Sequence, residues 1–390
     1  NEKTKLEMKI LFVCQQYIHS ARWIHQLKDS GHEIFVFDCL DMPIHEDLQW
    51  TNFITNWSRR KLPKIKGEYF LEKNLPKLFR AIAPVLKLTA SEKLSEIIKE
   101  IQPDLVHSFE MQSESYPLIK VRKKMHFKWA YFSWGSDLYL YQNDKKHKSR
   151  IQSVLSNIDY LFTDNQRDIY LANDLKFKGK SMPILPGGGG YHLDKYQKQI
   201  KPIDKRKLIL IKGYHHWAGK ALCVLNALEL IVEEIRTYDI YVYSAHDIVV
   251  EKIMELNKKY NLNIEYSSRF NQISQSQLLE KFGQAKIAIG NNVSDGIPNT
   301  LLEAILCGAF PIQSNPGKVT EEYIVDGENG LLINDPENSE EIAKQIEKAL
   351  SNVELLSTSF SINQELAKNL DYDLIKKEVL NVYKQIEADV

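Results

Sequence analysis

The chain has 390 residues, 43% hydrophobic and 26% charged, with 51 basic residues against 51 acidic ones. That length suits two domains better than one, and the composition is that of a folded globular chain. A formal net charge of zero supplies no global field to attract nucleic acid, so no nucleic-acid partner is expected.

Asn1–Glu7 is polar and reads as a disordered lead-in to Met8. Lys9–Cys14 reads as a buried strand, Ala21–Lys28 as a helix N-capped by Ser20 and stopped at Gly31, and Glu33–Phe37 as a second strand. The stretch from Trp57 to Lys99 is rich in cations (Arg59, Arg60, Lys61, Lys64, Lys66, Lys73, Lys77, Arg80 and Lys87) with apolar residues such as Phe70, Leu71, Leu75, Leu78, Phe79 and Ile82 between them. This stretch fits either an amphipathic element for peripheral contact with anionic lipid or a solvated face over core leucines. Strands follow at Leu105–His107, Trp129–Phe132 and Tyr160–Thr163. Strands alternating with helical patterns predict a parallel sheet covered on both faces.

Pro183, Pro186, the four glycines Gly187–Gly190 and Pro202 interrupt this pattern and read as a flexible linker. A second α/β series then starts, with strands at Leu208–Ile211, Ile240–Tyr243, Ile287–Ile289 and Phe310–Ile312. Helices are predicted at Ala221–Glu234, Gln277–Phe282 and about Leu374–Ala388. The boundaries expected are an N-terminal domain over 8–185, a linker over 186–206, a C-terminal domain over 207–370 and a terminal helix over 371–390. The four cysteines (Cys14, Cys39, Cys223, Cys307) have no C-x-x-C spacing, and all but Cys39 fall in strand or helix contexts, which suggests buried thiols. With no run of 18 apolar residues and no signal-type segment, the expected location is the cytoplasm, with peripheral contact at the inner membrane face as the open question.

The most informative segment runs from Ser294 to Ile312. Asp295 and Glu303 stand eight positions apart around Gly296-Ile297-Pro298-Asn299, which opens a short helix, with Pro298 suited to its first turn. The amides of Asn299, Thr300 and Leu301 make an anion site there, flanked by carboxylates that accept from hydroxyls. Phosphate beside polyol describes a nucleotide-sugar; the same residues also fit a plain strand, turn and amphipathic helix. The segment resembles the E-x7-E region of retaining glycosyltransferases of family 4, written E-G-x-P-x-x-x-x-E-A-x-x-x-G-x-P, with Asp295 where the first Glu is usual.

That resemblance covers most of the chain and implies the GT-B architecture: two doubly wound α/β domains, Rossmann-like, facing a cleft, with the C-terminal helix crossing back to the N-terminal domain. It implies that Glu303 binds the donor ribose and Asp295 the donor sugar. In Ile211-Lys212-Gly213-Tyr214-His215-His216-Trp217-Ala218-Gly219-Lys220, Lys220 matches the family's diphosphate lysine, while His215 stands in the register of its usual Arg, with Lys212 as the alternative cation. Asp104–Glu110 resembles the family's D-x-x-H-x-H-E segment, which makes His107 a catalytic candidate and Glu110 an acceptor ligand. Ser133–Tyr139 resembles the second loop of that site, with Trp134 and Asp137 as acceptor contacts.

The reaction implied is metal-independent, retaining transfer of a sugar from a nucleoside-diphosphate sugar to a glycan or lipid-linked acceptor in cell-surface polysaccharide or glycoconjugate synthesis. No cofactor and no metal are expected. Asp371-Tyr372-Asp373 precedes a helix and reads as its N-cap, and His215-His216 lacks a third ligand. The alternatives are a nucleotide-sugar epimerase of the same fold and a non-catalytic carbohydrate-binding scaffold.

Overall fold

A computed structural model describes residues 8–389, so the expectation for Asn1–Glu7 lies outside the described residues. The chain forms two compact units. The first contains the residues up to Thr163, Asp168–Gly189 and the segment from Glu378 onward; the second contains Asp164–Arg167 and Gly190–Lys377.

In the first unit seven strands form an all-parallel sheet: β1 (Lys9–Val13), β2 (Glu33–Phe37), β3 (Asn52–Ile54), β4 (Leu105–Phe109), β5 (Lys128–Phe132), β6 (Tyr160–Phe162) and β7 (Lys180–Ser181), in the order β3-β2-β1-β4-β5-β6-β7. In the second, β8 (Leu208–Lys212), β9 (Asp239–Ala245), β10 (Ile264–Ser268), β11 (Ala285–Gly290), β12 (Phe310–Ser314) and β13 (Leu331–Ile333) are again all parallel, in the order β10-β9-β8-β11-β12-β13. Near-continuous runs of Ile, Leu, Val and Phe suit strands covered by helices on both faces. Both sheets reverse winding next to their first strand, at β1/β4 and at β8/β11, where a doubly wound sheet opens a crevice beyond its strand ends. Two such domains constitute the GT-B fold.

Several local expectations need correcting. The first helix runs Ile18–His25 with Tyr17 at its N-cap, so Ser20 lies buried inside it and is not the cap; the Tyr17 amide already turns back onto the Gln15 carbonyl at 2.9 Å, which starts the helix early. Pro298 stands at the N-cap position of Asn299–Leu306, one residue before the first turn. The helix expected over Ala221–Glu234 breaks at Ile231, whose φ of −124° leaves the helical region. Cys39 is buried with Cys14 and Cys307, and Cys223 is the half-exposed one. The glycine run is used for close packing: a Cβ on Gly190 would stand 2.6 Å from the Tyr372 Cα. The Tyr191 amide bonds the Leu370 carbonyl and the Tyr372 amide returns to Tyr191. Asp371 caps the last helix as its sequence suggests, accepting from the Asp373 and Leu374 amides.

That last helix, Tyr372–Glu387, completes the first unit's core. Tyr383 is fully buried there, its hydroxyl 3.0 Å from Trp23 Nε1 and 2.8 Å from His107 Nδ1. A fully buried carboxylic acid, Glu114, accepts from the Cys39 amide at 3.0 Å, while its other oxygen has no partner among the described residues. Burial raises its pKa to about 8, so the folded chain holds it protonated through neutral pH.

Two expectations follow. Tyr383→Phe strands the Trp23 Nε1 donor and leaves His107 Nδ1 without its partner, and should lower unfolding free energy by about 2 kcal/mol in urea titrations. Because the folded pKa of Glu114 exceeds its unfolded value, its contribution declines as pH rises from about 4.5 toward 8. Glu114→Gln should therefore gain stability relative to the parent chain across that interval, measured by unfolding at a series of pH values.

Candidate active site

In the second unit the sequence candidates gather at the carboxyl ends of β8 and β11. Lys212 ends β8, and Gly213 follows where no side chain fits: its Cβ would stand 2.6 Å from the Ala245 Cα. The loop then folds onto β11. The Lys220 amide bonds the Asn291 carbonyl at 2.9 Å, and the Val293 amide bonds Ala218 at 2.9 Å. This pins Lys220 beside the switch point, at the N-cap of helix Ala221–Leu230.

That helix start does not present its first amides as a phosphate turn. The Ala221 amide is taken by the Tyr214 carbonyl at 3.1 Å, and the Leu222 amide points to His215 Nδ1 at 3.4 Å. His215 thus serves its own loop, and burial and the Lys220 charge hold its pKa below the usual histidine range. The cations are Lys212, whose ammonium lies 4.8 Å from the Tyr214 ring centroid, and Lys220, whose ammonium meets the exposed carboxylate of Glu337 at 2.7 Å. Asn291 Nδ2 holds the Lys220 and Pro336 carbonyls together at 3.3 and 2.8 Å, so the Glu337 loop belongs to this corner.

The second half of the corner is the segment from Asn291 to Glu303. Asp295 is half-buried; one oxygen accepts from Asn292 Nδ2 at 2.9 Å and the other from the Gly296 amide at 3.0 Å. Burial raises its pKa, and the Lys212 charge offsets part of that rise. Arg167 bonds the Asp295 carbonyl at 2.9 Å and the Pro316 carbonyl at 2.8 Å, while Asp164 accepts from the Ile297 amide at 3.2 Å. The turn is therefore fixed from several sides.

In helix Asn299–Leu306 the Leu301 amide is satisfied by the Pro298 carbonyl at 2.9 Å, which removes Leu301 from the anion candidates. Asn299 and Thr300 precede that first intrahelical bond and stand at the positive end of the helix. Glu303 is buried on the next turn, with one oxygen 2.8 Å from Gln275 Nε2, and its charge adds to the burial that pushes Tyr243 well up. Gln275, Glu337 and Asn291 carried no signal in the sequence.

In the first unit the loops after β4 and β5 are tied to each other. Asp137 is 4% exposed. It accepts from the Met111 amide at 3.0 Å, the Tyr131 hydroxyl at 2.7 Å and the Trp134 amide at 2.9 Å. Burial, with Glu110 nearby, lifts its pKa to about 8. Glu110, at φ +71°, accepts from the Gln112 and Ser113 amides at 2.8 and 2.6 Å and caps a π-turn over Met111–Ser115. Both carboxylates expected to meet an acceptor thus hold backbone. His107 is corrected further: it is the middle residue of β4, not its exposed end, with 0% exposure among Phe12, Phe109, Phe132 and Phe162, and burial drives its pKa well down. Trp134 stays half-buried, its ring 6.3 Å from exposed Tyr17 and 6.4 Å from His19. Among the described residues no group of three or more His, Cys, Asp or Glu side chains is arranged to hold a metal ion.

Residues 250–364 match the family model described as glycosyl transferases group 1, and residues 9–165 match the one described as glycosyl transferase 4-like. A search of curated proteins finds no sequence match. The fold is shared with a sucrose-phosphate synthase from Thermosynechococcus elongatus (17% identity, 98% of this chain and all of that one, TM-score 0.72). It is shared with the Anabaena protein HepE in complex with UDP-glucose (12%, 97% and all, TM-score 0.67). It is also shared with the lipopolysaccharide outer core galactosyltransferase WaaB in its apo form (16%, 97% and 99%, TM-score 0.68). Family matches in both units, on this common architecture, support a glycosyltransferase of the GT-B fold.

Proposed function

We propose that the chain is a retaining, metal-independent glycosyltransferase of the family 4 type that takes its sugar from a nucleoside-diphosphate sugar and passes it to a glycan or lipid-linked acceptor. The observation that carries this reading is the corner of the second unit, where Lys220, Lys212 and the helix start at Asn299 and Thr300 surround the switch point with Glu303 buried beside them. When the bond from the sugar's anomeric carbon to the diphosphate breaks, negative charge grows on the leaving oxygen. Fixed cations and amides there lower the barrier without reorganising. In this reading Glu303 accepts from the ribose hydroxyls, and Asp295 with Gly296 contacts the donor sugar. The acceptor oxygen attacks the face from which the diphosphate departs, and its proton passes to a diphosphate oxygen.

The histidines take different parts from those first expected. His215 shapes the loop under the diphosphate, Lys212 stands in for the family's usual Arg, and His107 supports the core. In the first unit we assign acceptor contact to the aromatic group of Trp134, Tyr17 and His19, which suits stacking on a sugar ring, with Asp137 and Glu110 holding its loops.

The test is release of nucleoside diphosphate from a panel of nucleotide-sugars in the presence of a chelator. One donor should turn over slowly, with Lys220→Ala reducing the rate by about 100-fold or more and Glu303→Ala weakening donor binding by about tenfold. Interconversion of free nucleotide-sugars would indicate an epimerase instead. Binding with no turnover for any acceptor would indicate a scaffold, and no nucleotide binding would overturn the reading altogether. Glu337 meanwhile competes with phosphate for Lys220 at 2.7 Å. Glu337→Gln should tighten nucleoside-diphosphate binding by about two- to fivefold in titration calorimetry.

A further inference from the structure

Among the described residues, large exposed hydrophobics concentrate in one place. Leu62 (43% exposed), Ile65 (54%), Tyr69 (75%), Phe70 (60%), Leu75 (46%), Leu78 (51%) and Val85 (62%) lie within a single stretch of the first unit. It forms two short helices, Glu68–Asn74 and Pro76–Leu86, joined at Leu75. The second helix is apolar on two sides. Phe79 and Leu86 point inward and are buried, while Leu78, Ala81 and Val85 recur at helical spacing on an outer edge that nothing in the described chain covers. Packing of the fold explains the inner stripe and leaves the outer one without a role.

Charge says what would cover it. Residues 59–87 contain nine Lys or Arg against two acidic residues, Glu68 and Glu72, in a chain whose overall charge is zero. Arg60 is occupied by Glu68 through two contacts of 2.7 Å, and Lys61 by Glu92 at 2.6 Å. Lys64, Lys66, Lys73, Lys77 and Arg80 are all exposed, interleaved with the apolar residues. A soluble acidic partner would account for the cations but not for a Tyr-Phe pair standing in solvent. An anionic bilayer accounts for both, since aromatic rings settle at the headgroup level and lysines at the charged surface.

We propose that this helical pair is a membrane-docking surface that binds anionic phospholipid, with Tyr69, Phe70, Leu78 and Val85 entering the interface and Lys64, Lys66, Lys73 and Lys77 meeting the headgroups. The proposal does not depend on the transferase reading. The full chain should float with vesicles of phosphatidylcholine mixed with phosphatidylglycerol, and not with phosphatidylcholine alone. Reversing Lys64, Lys66, Lys73 and Lys77 to Glu should weaken that binding by about tenfold or more. Tyr69→Ser with Phe70→Ser should also weaken it and leave a residue that added salt abolishes. All these positions are exposed, so unchanged circular dichroism and melting would confirm that the variants fold. Absence of flotation, equal flotation with both vesicle types, or binding of soluble polyanions and nucleic acid that Tyr69→Ser with Phe70→Ser leaves intact while anionic vesicles are ignored would each overturn the proposal.

Discussion

Everything chemical in this chain depends on strands that all point the same way. In a parallel sheet every backbone connection must return over a face, so each strand ends on the same edge and hands its last residues to a loop there. In the second unit, β8 and β11 are neighbours at which the winding reverses, and such a switch point opens a crevice beyond the strand ends. Lys212 and Lys220 come from one of these loops, Asp295 and the helix bearing Glu303 from the other. The bonds from Lys220 to Asn291 and from Val293 to Ala218 join the two loops into one surface.

The first unit uses the same edge differently. Asp38, Glu110, Glu114 and Asp137 follow or adjoin strand ends, and burial raises the pKa of each. Apart from one oxygen of Glu114, their oxygens accept largely from amides and hydroxyls of neighbouring loops. Hydrogen bonds of this kind offset the cost of burying a carboxyl group while fastening irregular backbone. The left-handed φ of Glu110 and the π-turn behind it are held by this network, and the aromatic group at Trp134 rests on it.

The periodicity of apolar residues was enough to read two α/β series and most strands, because buried parallel strands leave continuous Ile, Leu and Val runs that helices do not. The Asp295–Glu303 segment was legible because its turn, its helix start and its carboxylates are local in sequence. What escaped was the fate of each hydrogen bond. Nothing in the order of residues says that the Leu301 amide is consumed by Pro298, that His215 receives an amide of its own helix, or that Glu110 and Asp137 are engaged by backbone. His107 was misplaced for a related reason: a polar residue in an apolar run looks like a strand end until Tyr383, 276 positions later, supplies its partner. Glu337 and Gln275 reach the corner from other strands, and only the tertiary fold brings them there.

The closing helix carries a consequence for the order of events during synthesis. Val379, Val382, Tyr383 and Ile386 are buried in the core of the unit that begins at the amino terminus. A ribosome will have emitted all seven strands of that unit, and nearly all of the second, before those side chains leave the exit tunnel. Domains usually fold as they emerge, amino-terminal first. Here the first sheet must wait with Trp23 and His107 unpaired while the second unit completes its own sheet. The half of the chain made first is therefore the half finished last.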